Sequence, residues 1–440
     1  MATLSQLPNE ILRFIAEQLD SQSDRLHLIS SSRQMYYTLL PVLYSRVRIC
    51  NCDTSIRAVI PLVSTILRNP TLAKAVHYLD LDSWDDQSWK EDPDILFEYD
   101  KYDGYDANLI ENADCHIPSS AEEREYRIQA LRDGYSDAWL AILIPQLTNL
   151  RGIKITWPYE ARRVRTMFSK AAEDGGRLFP HLKEVFAEHC DTENSAEASW
   201  MDPFFKFPAM RKLSGRMIAD RDHDHVPGTR ILPCSGIEEI DLDMSNTEYG
   251  FCVWIQSCIA LKSFRLEIGG PIVSEWSIHS HRLRESLSYH KTTLEKFWLR
   301  TDEETDPDLD EGWIGSFADF CVLKMLHIPF AMLVDFNEES ATNRDLVSLL
   351  PPSLESLYLC QCDSGVTKLA IDEVEALLES RCLPNLTSLG LECQKPLEAA
   401  RCRLSLISTR CEEAGITFVN LPQGQQETWD YLATVWPHPC

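Results

Sequence analysis

The chain has 440 residues, 44% of them apolar, and 42 Lys and Arg against 68 Asp and Glu give a net charge of −26. That length fits two to four units or one repeat array. The acidity argues against non-specific nucleic-acid binding and against adhesion to anionic membrane, and favours basic partners. The longest uncharged stretches, 138–150 and 249–261, are 13 residues each, short of the ~18–20 a membrane span requires. Asn9, Glu10 and Arg13 interrupt any apolar leader, so the expected location is intracellular, cytoplasm or nucleus. Fifteen cysteines, odd in number and scattered, read as reduced thiols, with Cys252, Cys321 and Cys382 at apolar positions as small hydrophobes.

Three amphipathic segments open the chain. Pro8 suits a first helical turn, where its missing N–H leaves no bond unmade, and Glu10 sits where the helix dipole favours a carboxylate. Ile11, Leu12, Ile15 and Leu19 follow at helical spacing as one apolar stripe. A second segment carries Leu26, Leu28 and Ile29, and a third runs from about Arg33 to Leu43, ending near Pro41. So small a unit buries little surface. It needs either a partner over its stripe or a role as a helical cap on the next domain.

Leu7-Pro8-x-Glu10-Ile11-Leu12-x-x-Ile15-x-x-x-Leu19, followed by Arg33-x-x-Tyr36-x-x-Leu39-x-Pro41-x-Leu43-Tyr44, resembles the F-box motif of fungal F-box proteins. The resemblance covers about residues 4–50, and Ser30-Ser31-Ser32-Arg33 resembles the junction between that motif's second and third helices. It implies docking on the Skp1 adaptor of a cullin-RING ubiquitin ligase through Leu7, Pro8, Glu10, Ile11, Leu12, Ile15 and Leu19. Of these, Leu7, Pro8, Ile11, Leu12 and Ile15 are expected to be exposed in the isolated chain. The resulting domain division is an F-box over 1–50 and repeats over 51–440.

Beyond residue 50 an apolar pattern Φ-x-x-Φ-x-Φ recurs. It stands at Val76/Leu79/Leu81, Leu150/Ile153/Ile155, Ile237/Ile240/Leu242, Leu261/Phe264/Leu266, Leu294/Phe297/Leu299, Leu323/Leu326/Ile328, Leu354/Leu357/Leu359 and Leu386/Leu389/Leu391. Weaker copies are Leu182/Val185/Ala187, Met210/Leu213/Gly215 and Ile416/Val419/Leu421, for about 11 in all. From residue 150 onward the copies start 24 to 33 residues apart. Helical patterns such as Ile371–Leu378 and 159–172 lie between them. One strand and one helix per period predict an α/β leucine-rich repeat solenoid, a horseshoe with a parallel sheet on its concave face. The repeats resemble the irregular ones that follow an F-box in many substrate receptors, although the Asn/Cys ladder of regular repeats is missing. An ordinary α/β domain is the competing reading.

The acidity is local. Residues 80–114 hold 13 Asp and Glu against two Lys, and 302–311 hold seven acids and no base. The first lies within an acidic insertion at about 82–125 and the second is an acidic loop. Both follow strands, as does Asp222-His223-Asp224-His225, and all three are expected on one rim. They read as solvated loops or as a surface for a basic substrate.

Strand side chains alternate, so the residue between the last two apolar positions points away from the core. In order these are Asp80, Lys154, Phe186, Ser214, Asp241, Arg265, Trp298, His327, Tyr358 and Gly390. Trp298, His327 and Tyr358 fall in successive repeats, with Arg265 and Arg300 beside them. Those residue types are enriched in binding hot spots, and these five are the candidate substrate-binding set. Alternatively the rings pack on one another and serve stability.

No Gly-rich phosphate loop, Gly-x-Ser-x-Gly elbow, His-Glu-x-x-His helix or Cys-x-x-Cys pair is present. Cys50-Asn51-Cys52 and Cys360-Gln361-Cys362 read as structural. Residues 222–225 read as a solvated loop, with a metal-dependent hydrolase as a remote alternative. The expected function is a non-catalytic, cofactor-free substrate receptor joined through Skp1 to cullin and RING subunits. A protein-binding scaffold or inhibitor outside any ligase is the rival.

Overall fold

The computed structural model describes residues 4–19, 21–50, 59–82, 84, 106, 108, 110, 121–159, 161–220, 233–269, 278–301, 313–334, 345–362, 366–393 and 398–422. The acidic loop 302–311, the 222–225 cluster and most of the 82–125 insertion lie outside these residues, and so does their expected common rim. The described residues fall into two compact units, one built on the chain up to Asp191 with Lys206–Met210, the other on Thr192–Phe205 and the chain from Arg211 onward.

In the first unit, α1 (Asn9–Glu17), α2 (Gln22–Ser30) and α3 (Arg33–Leu43) enclose a small core of Leu12, Ala16, Ile29, Met35, Leu39 and Val42. Ser21 and Ser32 cap α2 and α3 by accepting from the Asp24 and Met35 amides. Pro8 stands at the N-cap of α1, and its carbonyl accepts from the Leu12 amide at 3.1 Å. Arg25 ties α2 to the end of α1 by donating to the Ala16 and Leu19 carbonyls at 3.2 and 2.7 Å.

The sheet starts earlier than expected. β1 (Arg46–Cys50) pairs in parallel with β2 (Tyr78–Asp82), so residues assigned to the helical module already form a strand. β3 (Gly152–Trp157) and β4 (Glu184–His189) follow in chain order, with Val47, Leu79, Ile153 and Val185 in one register row. Behind them, helix Arg162–Glu173 buries Val164, Met167, Phe168, Ala171 and Ala172. Asp137 caps that helix from a distance, accepting from the Arg163 and Val164 amides at 2.9 Å each.

The second unit contains β5 (Ala196–Glu197), β6 (Lys212–Arg216), β7 (Ile218–Asp220), β8 (Glu239–Thr247), β9 (Ser263–Ile268), β10 (Lys296–Arg300), β11 (Met325–Pro329), β12 (Ser356–Cys362), β13 (Ser388–Cys393) and β14 (Thr417–Pro422). The main sheet runs β6-β8-β9-β10-β11-β12-β13-β14, and β7 pairs with β5 and β8 beside it. Its pairs are parallel, as strand–helix alternation requires. In place of an Asn ladder, one carbonyl per repeat takes two amides from the next. Lys262 O accepts from Glu295 and Lys296, Glu295 O from Lys324 and Met325, and Lys324 O from Glu355 and Ser356, all at 2.8–3.1 Å.

The apolar positions of the pattern from Val76 to Leu391 are buried, most of them completely. Four positions past the middle apolar residue, Met217, Met244 and Gln361 each adopt a positive φ of 44–55°. At Met244 and Gln361 the pairing register shifts, a bulge that re-aims the chain as it leaves the strand.

Two expectations need correction. In β14 the frame is one residue off: Phe418 pairs with Leu389 and Val419 with Gly390, so Val419 takes the outward position. Among the cysteines, Cys252 is buried, but Cys321 is exposed and Cys382 is half-buried. Among the described residues, no helix is long and apolar enough to cross a membrane.

Candidate functional site

Two rows of side chains stand on the outward face of the second unit's sheet. The first follows the parallel register from Asp241 through Arg265, Trp298, His327 and Tyr358 to Gly390. Neighbouring parallel strands lie about 4.7–4.9 Å apart, a spacing close to that of stacked rings. The Trp298 and His327 centroids are 4.5 Å apart with planes 30° from parallel, and those of His327 and Tyr358 are 4.5 Å apart at 8°. The Arg265 guanidinium lies 4.4 Å from the Trp298 centroid. At the other end Tyr358 lies flat on Gly390, where a Cβ would meet its ring at 2.0 Å.

The second row lies two residues further along the strands and carries charge. Arg265 sits among Asp241 (3.1 Å), Glu267 (2.7 Å) and Asp243 (3.6 Å). Arg300 spans β11 and β12 to form a two-pronged pair with Glu392 at 3.1 and 3.0 Å. Glu392 is 0% exposed and Arg300 9%. Beside them Gln361 crosses from its bulge to β10: it donates to Thr301 O at 2.8 Å and accepts from the Thr301 hydroxyl at 3.0 Å.

Desolvation tunes this face. Burial, aided by the Asp243 charge, pushes the Glu267 carboxyl up to about 7. Burial and the cations Arg300 and Arg265 push the His327 imidazole down to about 3. His327 Nε2 is buried and has no hydrogen-bond partner among the described residues. An imidazole held that low is a poor proton acceptor at neutral pH. The geometry suits recognition by shape, ring edges and paired charges.

All five candidate residues therefore lie on one face, and Trp298, His327 and Tyr358 form one continuous stack. Arg300 departs from the expectation of a flanking cation open to a partner, because Glu392 engages it in a buried pair. Arg265 is likewise held by three carboxylates. Sequence reading missed Asp243, Glu267, Gln361 and Glu392. The first two and Glu392 follow the strand alternation one step past the last apolar position, and that step was the available signal.

The first unit has a smaller counterpart, Arg48–Asp80–Lys154–Phe186 across β1 to β4. Arg48 pairs with Asp80 and Asp82, and Lys154 with Glu188 at 3.0 Å while lying 5.5 Å from the Phe186 centroid. Burial raises the Asp80 pKa.

On the N-terminal helices the expected docking residues separate. Pro8, Glu10 and Ile11 are exposed, Ile11 at 46%, whereas Leu7, Ile15 and Leu19 are half-buried. Leu12 contradicts the expectation of exposure: at 1% it belongs to the module's core. Adjacent residues on a helix point about 100° apart, and here Leu12 shares the inner face with Ala16 four residues on while Ile11 turns outward. Phe14, missed in the sequence, is 60% exposed, one turn from Ile11. Leu4, Leu26, Tyr36 and Tyr37 are further exposed apolar or aromatic residues of this segment.

A family model for a leucine-rich repeat domain matches residues 52–383, well over half of the chain. No curated protein matches the chain.

Proposed function

The chain belongs to the leucine-rich repeat domain family, and from that premise we propose that it is a protein-binding subunit, the substrate receptor of a Skp1-cullin-F-box ubiquitin ligase. Stacked repeats of this kind present extended surfaces for protein partners. The observation that carries the finer reading is the N-terminal module: three short helices with a core of their own leave Ile11 and Phe14 exposed on α1. Exposed apolar residues on so small a unit suit an interaction surface, and the F-box resemblance of residues 4–50 supports Skp1 as its partner.

On this reading the chain makes and breaks no bonds. It raises the local concentration of a substrate lysine near a conjugating enzyme brought by the cullin and RING subunits. The substrate is held on the repeats, with the Trp298–His327–Tyr358 stack as the anchor. Affinity purification of the full chain from cells, with and without proteasome inhibition, tests this. Skp1 and cullin should be captured in both conditions, and the substrate should be enriched under inhibition. Capture of protein partners without Skp1 or cullin would leave a binding scaffold outside any ligase.

A further inference from the structure

Cys362 and Cys393 are register partners on the adjacent parallel strands β12 and β13. Strands so paired lie about 4.7–4.9 Å apart, inside the Cα range of about 4.4–6.8 Å that a disulfide accepts. Both residues are buried, at 0% and 1% exposure. The Cys362 thiol lies 3.9 Å from the Leu359 and Cys360 carbonyls, and its neighbour Cys393 raises its pKa while Cys362 in turn lowers that of Cys393. Thr367 lies near enough to lower the Cys393 pKa further, and it is the first residue of the helix Thr367–Ser380. The Thr367 hydroxyl is 3.0 Å from the Cys362 carbonyl, which fixes the helix start against the bulged end of β12. The two thiols thus stand in register on adjacent parallel strands, Cys393 being the more readily ionised of the two. Cys360, the third thiol nearby, faces the Leu299 carbonyl at 3.9 Å.

We propose that Cys362 and Cys393 form an oxidation site, a dithiol that a peroxide closes into a disulfide linking β12 to β13. The Cys393 thiolate attacks one peroxide oxygen, giving a sulfenic acid and releasing hydroxide. The Cys362 sulfur then attacks the Cys393 sulfur, the S–O bond breaks, and the oxygen leaves as water with the thiol proton. Overall two thiols and one hydrogen peroxide give one disulfide and two waters. Peroxide is close to water in size, which suits two thiols that present almost no surface to a bulky reagent. Gln361 and Glu392 immediately precede the two cysteines and hold Thr301 and Arg300, so the new bond forms at the edge of the ring-bearing face. This inference stands independently of the ligase reading.

The test uses the full reduced chain titrated with hydrogen peroxide, quenched, alkylated, digested and mass-mapped. The expected product is a reductant-sensitive link between the peptides carrying Cys362 and Cys393, two hydrogens lighter than the separate peptides. Alongside it, the melting temperature should rise by several degrees. C393S should abolish the link while Cys362 remains a free thiol that alkylates only after denaturation. Recovery of Cys362 and Cys393 as unlinked thiols, at peroxide levels that oxidise the exposed Cys190, Cys234, Cys321 and Cys402, would overturn the proposal. So would a link from Cys393 to any other cysteine.

Discussion

The imidazole of His327 lies face to face with the phenol ring of Tyr358, centroids 4.5 Å apart and planes 8° from parallel. The stack is a consequence of register: the two residues are direct partners on β11 and β12. It continues through Trp298 to Arg265 and stops at Gly390.

Gly390 is the floor of Tyr358. In G390A the new methyl carbon would fall 2.0 Å from the Tyr358 ring, so the ring must lift off its neighbour. Overpacking of this sort costs about 1–3 kcal/mol. Urea denaturation should show that loss, and near-UV circular dichroism should show a disturbed tyrosine band.

Two groups on this face make opposite contributions to the pH dependence of stability. His327, with a folded pKa near 3 against about 6.5 unfolded, contributes stability that is present above pH 6.5 and lost as the pH falls. Glu267, with a folded pKa near 7 against about 4.3 unfolded, contributes stability that is present at low pH and lost as the pH rises to 7. Between about pH 4.5 and 6.5 the two largely offset. E267Q should therefore uncover a slope approaching 1.4 kcal/mol per pH unit, with stability rising with pH. H327F, which keeps a ring in the stack, should uncover the opposite slope. Urea midpoints at pH 5 and 6.5 for the three proteins provide the check.

The Arg300–Glu392 pair should be far more sensitive to removal of one partner than of both. E392A strands a buried guanidinium and should cost about 3–5 kcal/mol. The double variant R300M/E392A should recover much of that loss, because no unpaired charge stays buried. A double-mutant cycle by chemical denaturation measures the difference; equal losses in the single and double variants would argue against a buried pair.

Leu12 and Ile11 should behave differently although they are adjacent. L12A opens the module's core and should cost about 2–5 kcal/mol of its stability. I11D replaces an exposed side chain and should leave folding within about 0.5 kcal/mol of the parent, so that on the proposed function its effect falls on adaptor binding. Thermal melts of the full chain, followed by helical ellipticity, separate the two.

The repeat architecture was legible because each copy buries three apolar residues at fixed spacing, from Val76 to Leu391. The outward row followed from alternation alone. What escaped notice did so for identifiable reasons. β1 carries the same pattern at Tyr44-x-x-Val47-x-Ile49, but Tyr44 also closes α3, which hid the copy in the helical module. In β14 the adjacent residues Phe418 and Val419 admit two frames, and the register with Leu389 selects Phe418. Arg300 looked free because its partner is 92 residues away and becomes a neighbour only once β10 to β13 lie side by side. Leu12 and Ile11 differ only in the direction each faces on α1, which stripe spacing does not resolve to a single residue.

On the proposed function, exposed residues of α1 dock the chain on Skp1 while the ring stack on the repeats serves a different partner. The most direct measurement is titration calorimetry of purified Skp1 into the full chain and into two variants, I11D/F14D and W298A. The parent and W298A should bind, and I11D/F14D should show no heat of binding while its circular dichroism spectrum stays that of the parent. Unchanged Skp1 affinity in I11D/F14D, or no binding by the parent chain, would contradict the proposed function.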